Sequence, residues 1–246
     1  MSIYSHLPEF IKEFLKKKYR HPFIYEFEFS GSIYNSEHEF LNSLYPSNFK
    51  EEEYITFHNE YLTLAEELQR RIKDIPTDRV WDASFMNESA FLVYYIIRKK
   101  CPNFIVETGV SRGLSTFFIL KALEKNNKGS LLSFDIIPDA GYLILPNEKK
   151  RWVFICLKGD QFAEQVEQQT LKFGSVDIFL HDSDHSYKNQ FKEYNAIMKK
   201  LSSNGIILSD DVDFSYAFND FVKLNNLKAM FLITTKAFGL CKIQDR

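Results

Sequence analysis

The sequence predicts an α/β protein: a doubly wound, mostly parallel seven-stranded sheet with an antiparallel C-terminal hairpin, behind a helical N-terminal extension. Three observations carry this. Five short apolar runs recur between residues 104 and 209 with helical patterns between most of them, as strand–crossover–strand units require. Two further runs, 228–234 and 238–243, stand only a few residues apart, which is hairpin spacing. Residues 1–80 show helical periodicity without that alternation, so the chain divides into a helical cap or extension over 1–80 and an α/β domain over 81–246.

Taken in order, Leu7, Phe10, Ile11, Phe14 and Leu15 repeat at helical spacing and predict a short amphipathic helix. Phe23, Tyr25, Phe27 and Phe29 alternate with Ile24, Glu26 and Glu28, which suits either a half-buried strand or an ordered lid segment. A longer helix is predicted over 47–75 on the stripe Tyr54, Phe57, Tyr61, Ala65, Leu68 and Ile72, with Ser47 as N-cap and Pro76 as its stop. Asn87 or Ser89 caps a helix running through 91–100, and Pro102 closes it. Strands follow at 104–108, 130–135, 152–157, 176–181 and 204–209. Tyr187, Phe191, Tyr194, Ile197, Met198 and Leu201 mark the clearest of the helices between them.

With 246 residues, 45% hydrophobic and 16% aromatic, the chain can build a proper core. A formal net charge of −2 and only short lysine runs give no footprint for nucleic acid or an anionic membrane surface. The longest apolar run, 91–97, falls well short of the roughly 20 residues of a spanning helix. Cys101, Cys156 and Cys241 make an odd count without C-x-x-C spacing, which argues against a disulfide framework and a zinc ribbon. No basic stretch followed by an apolar one opens the chain, so a cytoplasmic setting is expected.

The chemistry is expected where strands end. Residues 104–113 run Phe-Ile-Val-Glu-Thr-Gly-Val-Ser-Arg-Gly, a buried-strand composition leading through Gly109 and Gly113 into a helix that opens near Ser115. Unpaired backbone N–H groups at such a helix start make a nucleotide-type pocket. A dinucleotide fingerprint needs G-x-G-x-x-G, and this turn is E-x-G-x-x-x-G, which favours a nucleoside cofactor without a pyrophosphate, S-adenosylmethionine first. Asp135, about 20–30 residues on, stands where a carboxylate can accept both ribose hydroxyls. Asp160 is placed to meet the adenine edge, and Glu107 to hold the turn or accept from the methionine amino group.

Asp182, Asp210 and Asp211 end the next two strands and form a second set. Three carboxylates at one rim repel one another, and a divalent cation with oxygen ligands, Mg²⁺ foremost, would relieve that and lower the pKa of a substrate hydroxyl. His185, and with less weight His181, flanks this rim as general base, extra ligand or supporting donor. Plain capping and solvated-turn roles account for any one of these acids alone; five consecutive strands each ending in a carboxylate do not reduce to that.

The segments Val-Asp-Ile-Phe-Leu-His-Asp-Ser-Asp-His-Ser-Tyr and Asn-Gly-Ile-Ile-Leu-Ser-Asp-Asp-Val resemble the class I S-adenosylmethionine-dependent O-methyltransferases of the macrocin and catechol type, over roughly residues 87–215. The closer likeness is to the bacterial branch acting on sugars and other small hydroxylated metabolites. The resemblance implies a Rossmann-like fold, a cofactor set of Glu107, Gly109, Ser111, Gly113 and Asp135, and a metal set of Asp182, Asp210 and Asp211. It also implies a small hydroxylated acceptor. Residues 1–80 lie outside the resemblance; their many Tyr and Phe suit a cover on the acceptor side, a contact in a homo-oligomer, or plain core. Ser183 stands where the family usually has glycine. The lysine base of catechol-type members has no match beside Asp184 and His185, and no histidine follows Asp211. Two other readings fit the same residues: a cofactor-binding scaffold without turnover, and a nucleotide-dependent enzyme such as an oxidoreductase.

Overall fold

The computed structural model describes residues 27–73, 88–234 and 236–243. A single sheet holds β1 (Ser32–Tyr34), β2 (Phe104–Thr108), β3 (Ser130–Asp135), β4 (Trp152–Cys156), β5 (Val176–His181), β6 (Leu201–Ser209), β7 (Lys228–Ile233) and β8 (Ala237–Lys242). The helices are α1 (Glu37–Leu44), α2 (Glu51–Lys73), α3 (Glu88–Lys100), α4 (Leu114–Lys125), α5 (Phe162–Phe173), α6 (Tyr187–Met198) and α7 (Ala217–Leu224). The strand order is β1-β7-β8-β6-β5-β2-β3-β4. β2 to β6 run parallel, and β8 runs antiparallel to both β6 and β7.

All seven predicted strands are present, β6 starting three residues earlier than expected, at Leu201. The eighth, β1, corrects the count. It is three residues long and pairs in parallel with β7, nearly 200 residues away, so its own sequence carries no strand period.

Successive side chains of a strand point to opposite faces, and here both faces are covered. Ile105, Leu131, Ile178, Leu180, Ile206 and Leu208 join one core with α1 to α4. Phe104, Val106, Leu132, Phe134, Phe179 and Ile207 join the other with α5 to α7. That alternation is why the runs read as continuously apolar.

Several predicted boundaries move. The long helix begins at Glu51 rather than Ser47; Ser47 lies in a turn after Pro46, and Glu51, Glu52 and Glu53 supply the negative charge that a helix N-terminus favours. Ser89 is buried inside α3 rather than capping it. Phe27 and Phe29 belong to an irregular stretch, not a strand. Phe27 stacks on Tyr216 at 4.1 Å, and Asn219 of α7 holds the backbone by accepting from Ser30 and donating to the Glu28 carbonyl. The predicted helix over 7–15, the residues before Phe27, Pro76, Asn87 and the boundary near residue 80 lie outside the described residues.

Among the ion pairs that fasten α2, a charged clamp grips the loop after β3. The Arg71 guanidinium donates to both oxygens of Glu148 at 2.7 Å and to the Leu143 carbonyl at 3.0 Å, and Lys121 of α4 reaches Glu148 Oε1 at 2.7 Å. The loop so gripped meets the glycine turn: Gly141 N donates to the Ser111 carbonyl and Leu143 N to that of Arg112.

Candidate active site

The winding of the sheet reverses at β2, with β3 and β4 on one side and β5 and β6 on the other. Ligands of open α/β sheets bind beyond the strand ends at such a point. There the turn after β2 touches the turn after β5: Asp182 N donates to the Thr108 carbonyl at 2.9 Å. Gly109 has φ +82°, and a Cβ on it would fall into the Asp182 carbonyl group, so both conformation and space demand glycine. Gly113, at φ +99°, opens α4. Ser111 and Asp211 also adopt left-handed φ, +47° and +50°, without being glycine, as do Cys101, Asn127 and Asn226 away from these cavities.

Two cavities adjoin at this junction. The first, about 480 Å³, is lined by Phe134, Asp135, Ile136, Leu157, Asp160 and Phe162, among others. The second, about 210 Å³, is lined by Arg112, Asp182, His185, Asp210, Asp211 and Lys236, together with the glycine turn. Gly109, Ser111 and Asp182 border both.

The expected cofactor residues divide in the structure. Asp135 lines the first cavity and also clasps the turn: Oδ2 accepts from Val110 N and Ser111 N, and Oδ1 from Ile137 N. Asp160 stands exposed on the rim, ion-paired with Lys192 of α6. Glu107 is turned inward, whereas Ser115 borders the second cavity while donating its hydroxyl to Glu107. The fully buried Glu107 carboxylate accepts from Ser115 at 2.6 Å, Thr116 at 2.8 Å and Ser133 at 2.7 Å, and it borders neither cavity. Burial raises its pKa against those three donors. As placed, Glu107 holds the turn and is not set to receive a ligand amino group.

Asp182, Asp210 and Asp211 do converge, because β5 and β6 are neighbours. His185 Nε2 lies 3.8 Å from Asp182 Oδ1 and 3.6 Å from Asp211 Oδ2. Loss of water and the nearby Asp210 carboxylate hold Asp182 well above the usual carboxylate range. Burial pushes Asp210 up to about 6, with Lys236 pulling the other way. Asp211 does not cap the following helix, which begins at Ala217 after Tyr216. His181 is buried, its Nδ1 2.8 Å from Glu193 Oε2, and so braces α6 against β5.

Lys236 is the site residue that sequence reasoning missed. Its ammonium pairs with Asp210 Oδ2 and lies 3.7 Å from Asp211 Oδ1, and the side chain is buried. The signal was topological. A hairpin whose second strand pairs antiparallel with β6 must start beside the end of β6, which puts the residue before β8 next to Asp210.

The residues fit the two expected guests unequally. The first cavity has the size of a small-molecule pocket, roughly 300–1,000 Å³, with largely apolar walls and the Asp135 carboxylate on its lining, which suits a nucleoside. The acid rim is different. Among the described residues no three His, Cys, Asp or Glu side chains stand as a metal-holding group, and Lys236 occupies Asp210. As these side chains stand, the divalent-cation set expected of Asp182, Asp210 and Asp211 is not a ligand set. Among the described residues no helix is long and apolar enough to cross a membrane.

Comparison with known proteins gives the fold a family setting. Residues 106–212 match a family model described as a methyltransferase domain. A search of curated protein sequences gives no match. Among solved structures, the S-adenosylhomocysteine-bound methyltransferase PaMTH1 of Podospora anserina aligns with a TM-score of 0.53 at 16% identity, over 80% of this chain and 97% of that one. The O-methyltransferase TomG of Streptomyces achromogenes, involved in tomaymycin synthesis and bound to S-adenosylmethionine, aligns at 0.52 and 14%, over 85% and 96%. MycE of the mycinamycin biosynthetic pathway, in complex with Mg, S-adenosylhomocysteine and mycinamycin VI, aligns at 0.51 and 14%, over 74% and 55%. The chain thus shares the fold of these methyltransferases, and its residues 106–212 are similar to a methyltransferase domain.

Proposed function

We propose that this chain transfers a methyl group from S-adenosylmethionine to a hydroxyl oxygen of a small-molecule acceptor. The observation that carries the reading is the pair of cavities meeting at Gly109, Ser111 and Asp182. One has the walls of a nucleoside pocket; the other has the acids and imidazole that hydroxyl chemistry uses. S-adenosylmethionine, when bound, supplies an electrophilic methyl group on a sulfonium.

This chain's own residues then have three tasks. Asp135 and the turn it clasps hold the nucleoside side, Phe134 and Phe162 giving apolar wall. Asp182 and Asp210 orient the acceptor hydroxyl. Asp210 Oδ1 is buried with no hydrogen-bond partner, an acceptor that a hydroxyl can satisfy. His185 takes the hydroxyl proton, and the nearby Asp211 carboxylate stabilises the imidazolium that results. Holding the oxygen and the methyl donor in line accounts for much of the acceleration.

The small second cavity favours a compact hydroxyl-bearing group, such as a sugar or a phenol, over a macromolecular acceptor. Release of S-adenosylhomocysteine, followed across phenolic and sugar acceptors, tests the reading. His185→Ala should lower turnover about 100-fold while leaving S-adenosylhomocysteine affinity within about twofold of wild type. Turnover that ignores the substitution would remove His185 from the mechanism.

A further inference from the structure

We infer that Lys236 is the built-in cation of this site: its ammonium takes the place on Asp210 and Asp211 that a divalent ion would hold, so the chain works without a metal. The inference rests on the methyl-transfer reading only for its consequence; the lysine–carboxylate geometry stands by itself.

Asp182, Asp210 and Asp211 border one small cavity, and such a concentration of negative charge needs a positive partner. Lys236 supplies it, paired with Asp210 Oδ2 and 3.7 Å from Asp211 Oδ1. A surface lysine resting on an acid keeps its head in water. Lys236 is only 8% exposed.

Nor is it draped there by chance. Val212 N donates to the Ala237 carbonyl at 3.0 Å, and Ala237 N donates to Asp213 Oδ1 at 3.1 Å. Thr234 N donates to the Lys236 carbonyl at 3.0 Å. The residue that follows the lysine is thus fixed to the loop that carries the two acids, while the lysine's own carbonyl is held by Thr234. An ammonium is a compact point charge with three donors and no acceptor, so it can neutralise Asp210 without closing over the oxygen Oδ1. An ammonium seated on this carboxylate pair repels a divalent ion and takes up an oxygen that the ion would use. Lys236 is therefore a positioning residue: it sets the charge and orientation of the acids that meet the acceptor.

The test is Mn²⁺ binding to the full chain by calorimetry, for wild type, Lys236→Met, Lys236→Arg and Asp210→Asn, with S-adenosylhomocysteine binding measured in parallel. Wild type and Lys236→Arg should show no saturable Mn²⁺ binding into the millimolar range. Lys236→Met should bind one Mn²⁺ at least tenfold more tightly, and a second substitution, Asp210→Asn, should abolish that gain. Turnover of the wild type should be unchanged by a chelator. Stoichiometric Mn²⁺ binding by wild type that is lost in Asp210→Asn overturns the inference, and this comparison stands even if Lys236→Met does not fold. Failure of S-adenosylhomocysteine to bind would instead strike the methyl-transfer reading and leave the Mn²⁺ result to decide the role of Lys236.

Discussion

Asp135 Oδ2 accepts the backbone N–H groups of both Val110 and Ser111, each at 2.8 Å, so one side chain at the end of β3 fixes the turn at the end of β2. With Ile137 N on Oδ1, three of the roughly four lone-pair positions of the carboxylate are in use. The residue assigned to the ribose is also what shapes the pocket. Asp135→Ala should therefore cost the fold about 2 kcal/mol in urea denaturation and weaken S-adenosylhomocysteine binding at least about tenfold. Asp135→Asn, which keeps one acceptor oxygen, should fall between the two.

Gly109 is the least replaceable residue of the turn. Its φ of +82° and the Asp182 backbone facing it leave no room for a methyl group. Gly109→Ala should destabilise by more than about 3 kcal/mol, visible as a lower urea midpoint. A midpoint close to wild type would mean that β2 and β5 do not meet as described.

The clamp of Arg71 and Lys121 on Glu148 gives a pH-dependent prediction. Despite the burial that opposes it, hydrogen bonds from Arg71 and Lys121 hold Glu148 at a pKa of about 2, against 4.5 unperturbed. A depressed carboxylate pKa stabilises the fold above the unfolded value, and that contribution is lost as pH falls through the folded one. Glu148→Gln should thus cost about 2 kcal/mol at pH 7, and the gap to wild type should narrow between pH 4.5 and pH 2. A gap independent of pH would show that the ion pairs contribute nothing to it.

Asp210 should leave its mark on the rate. Burial holds it near 6, so below that pH it is protonated and no longer orients the acceptor hydroxyl as a charged hydrogen-bond acceptor. Turnover should rise as pH increases through about 6, and Asp210→Asn should flatten that limb while lowering the plateau by about 10²-fold.

The legible and the hidden parts of this chain differ for physical reasons. Strands buried on both faces are continuous apolar runs, and Gly109 and Gly113 announce the turn, so β2 to β8 and the cofactor crevice could be read from residues alone. β1 could not, since three residues such as Ser32, Ile33 and Tyr34 carry no period and owe their conformation to β7. α1 escaped notice for a similar reason: it is eight residues long, with charged and polar side chains among Phe40, Leu41 and Leu44. Acids at the ends of adjacent strands were predicted to meet because parallel topology brings them together. Lys236 meets them only through the antiparallel return of β8, and Glu107 turns inward only because Ser115, Thr116 and Ser133 are there to receive it.

The central claim is that the crevice beyond β2 and β3 takes S-adenosylmethionine, and titration calorimetry with S-adenosylhomocysteine tests it most directly. The account predicts one-to-one binding by wild type, weakened at least about tenfold in Asp135→Ala, with no comparable affinity for NAD or NADH. Tight binding of NADH with none for S-adenosylhomocysteine would contradict it.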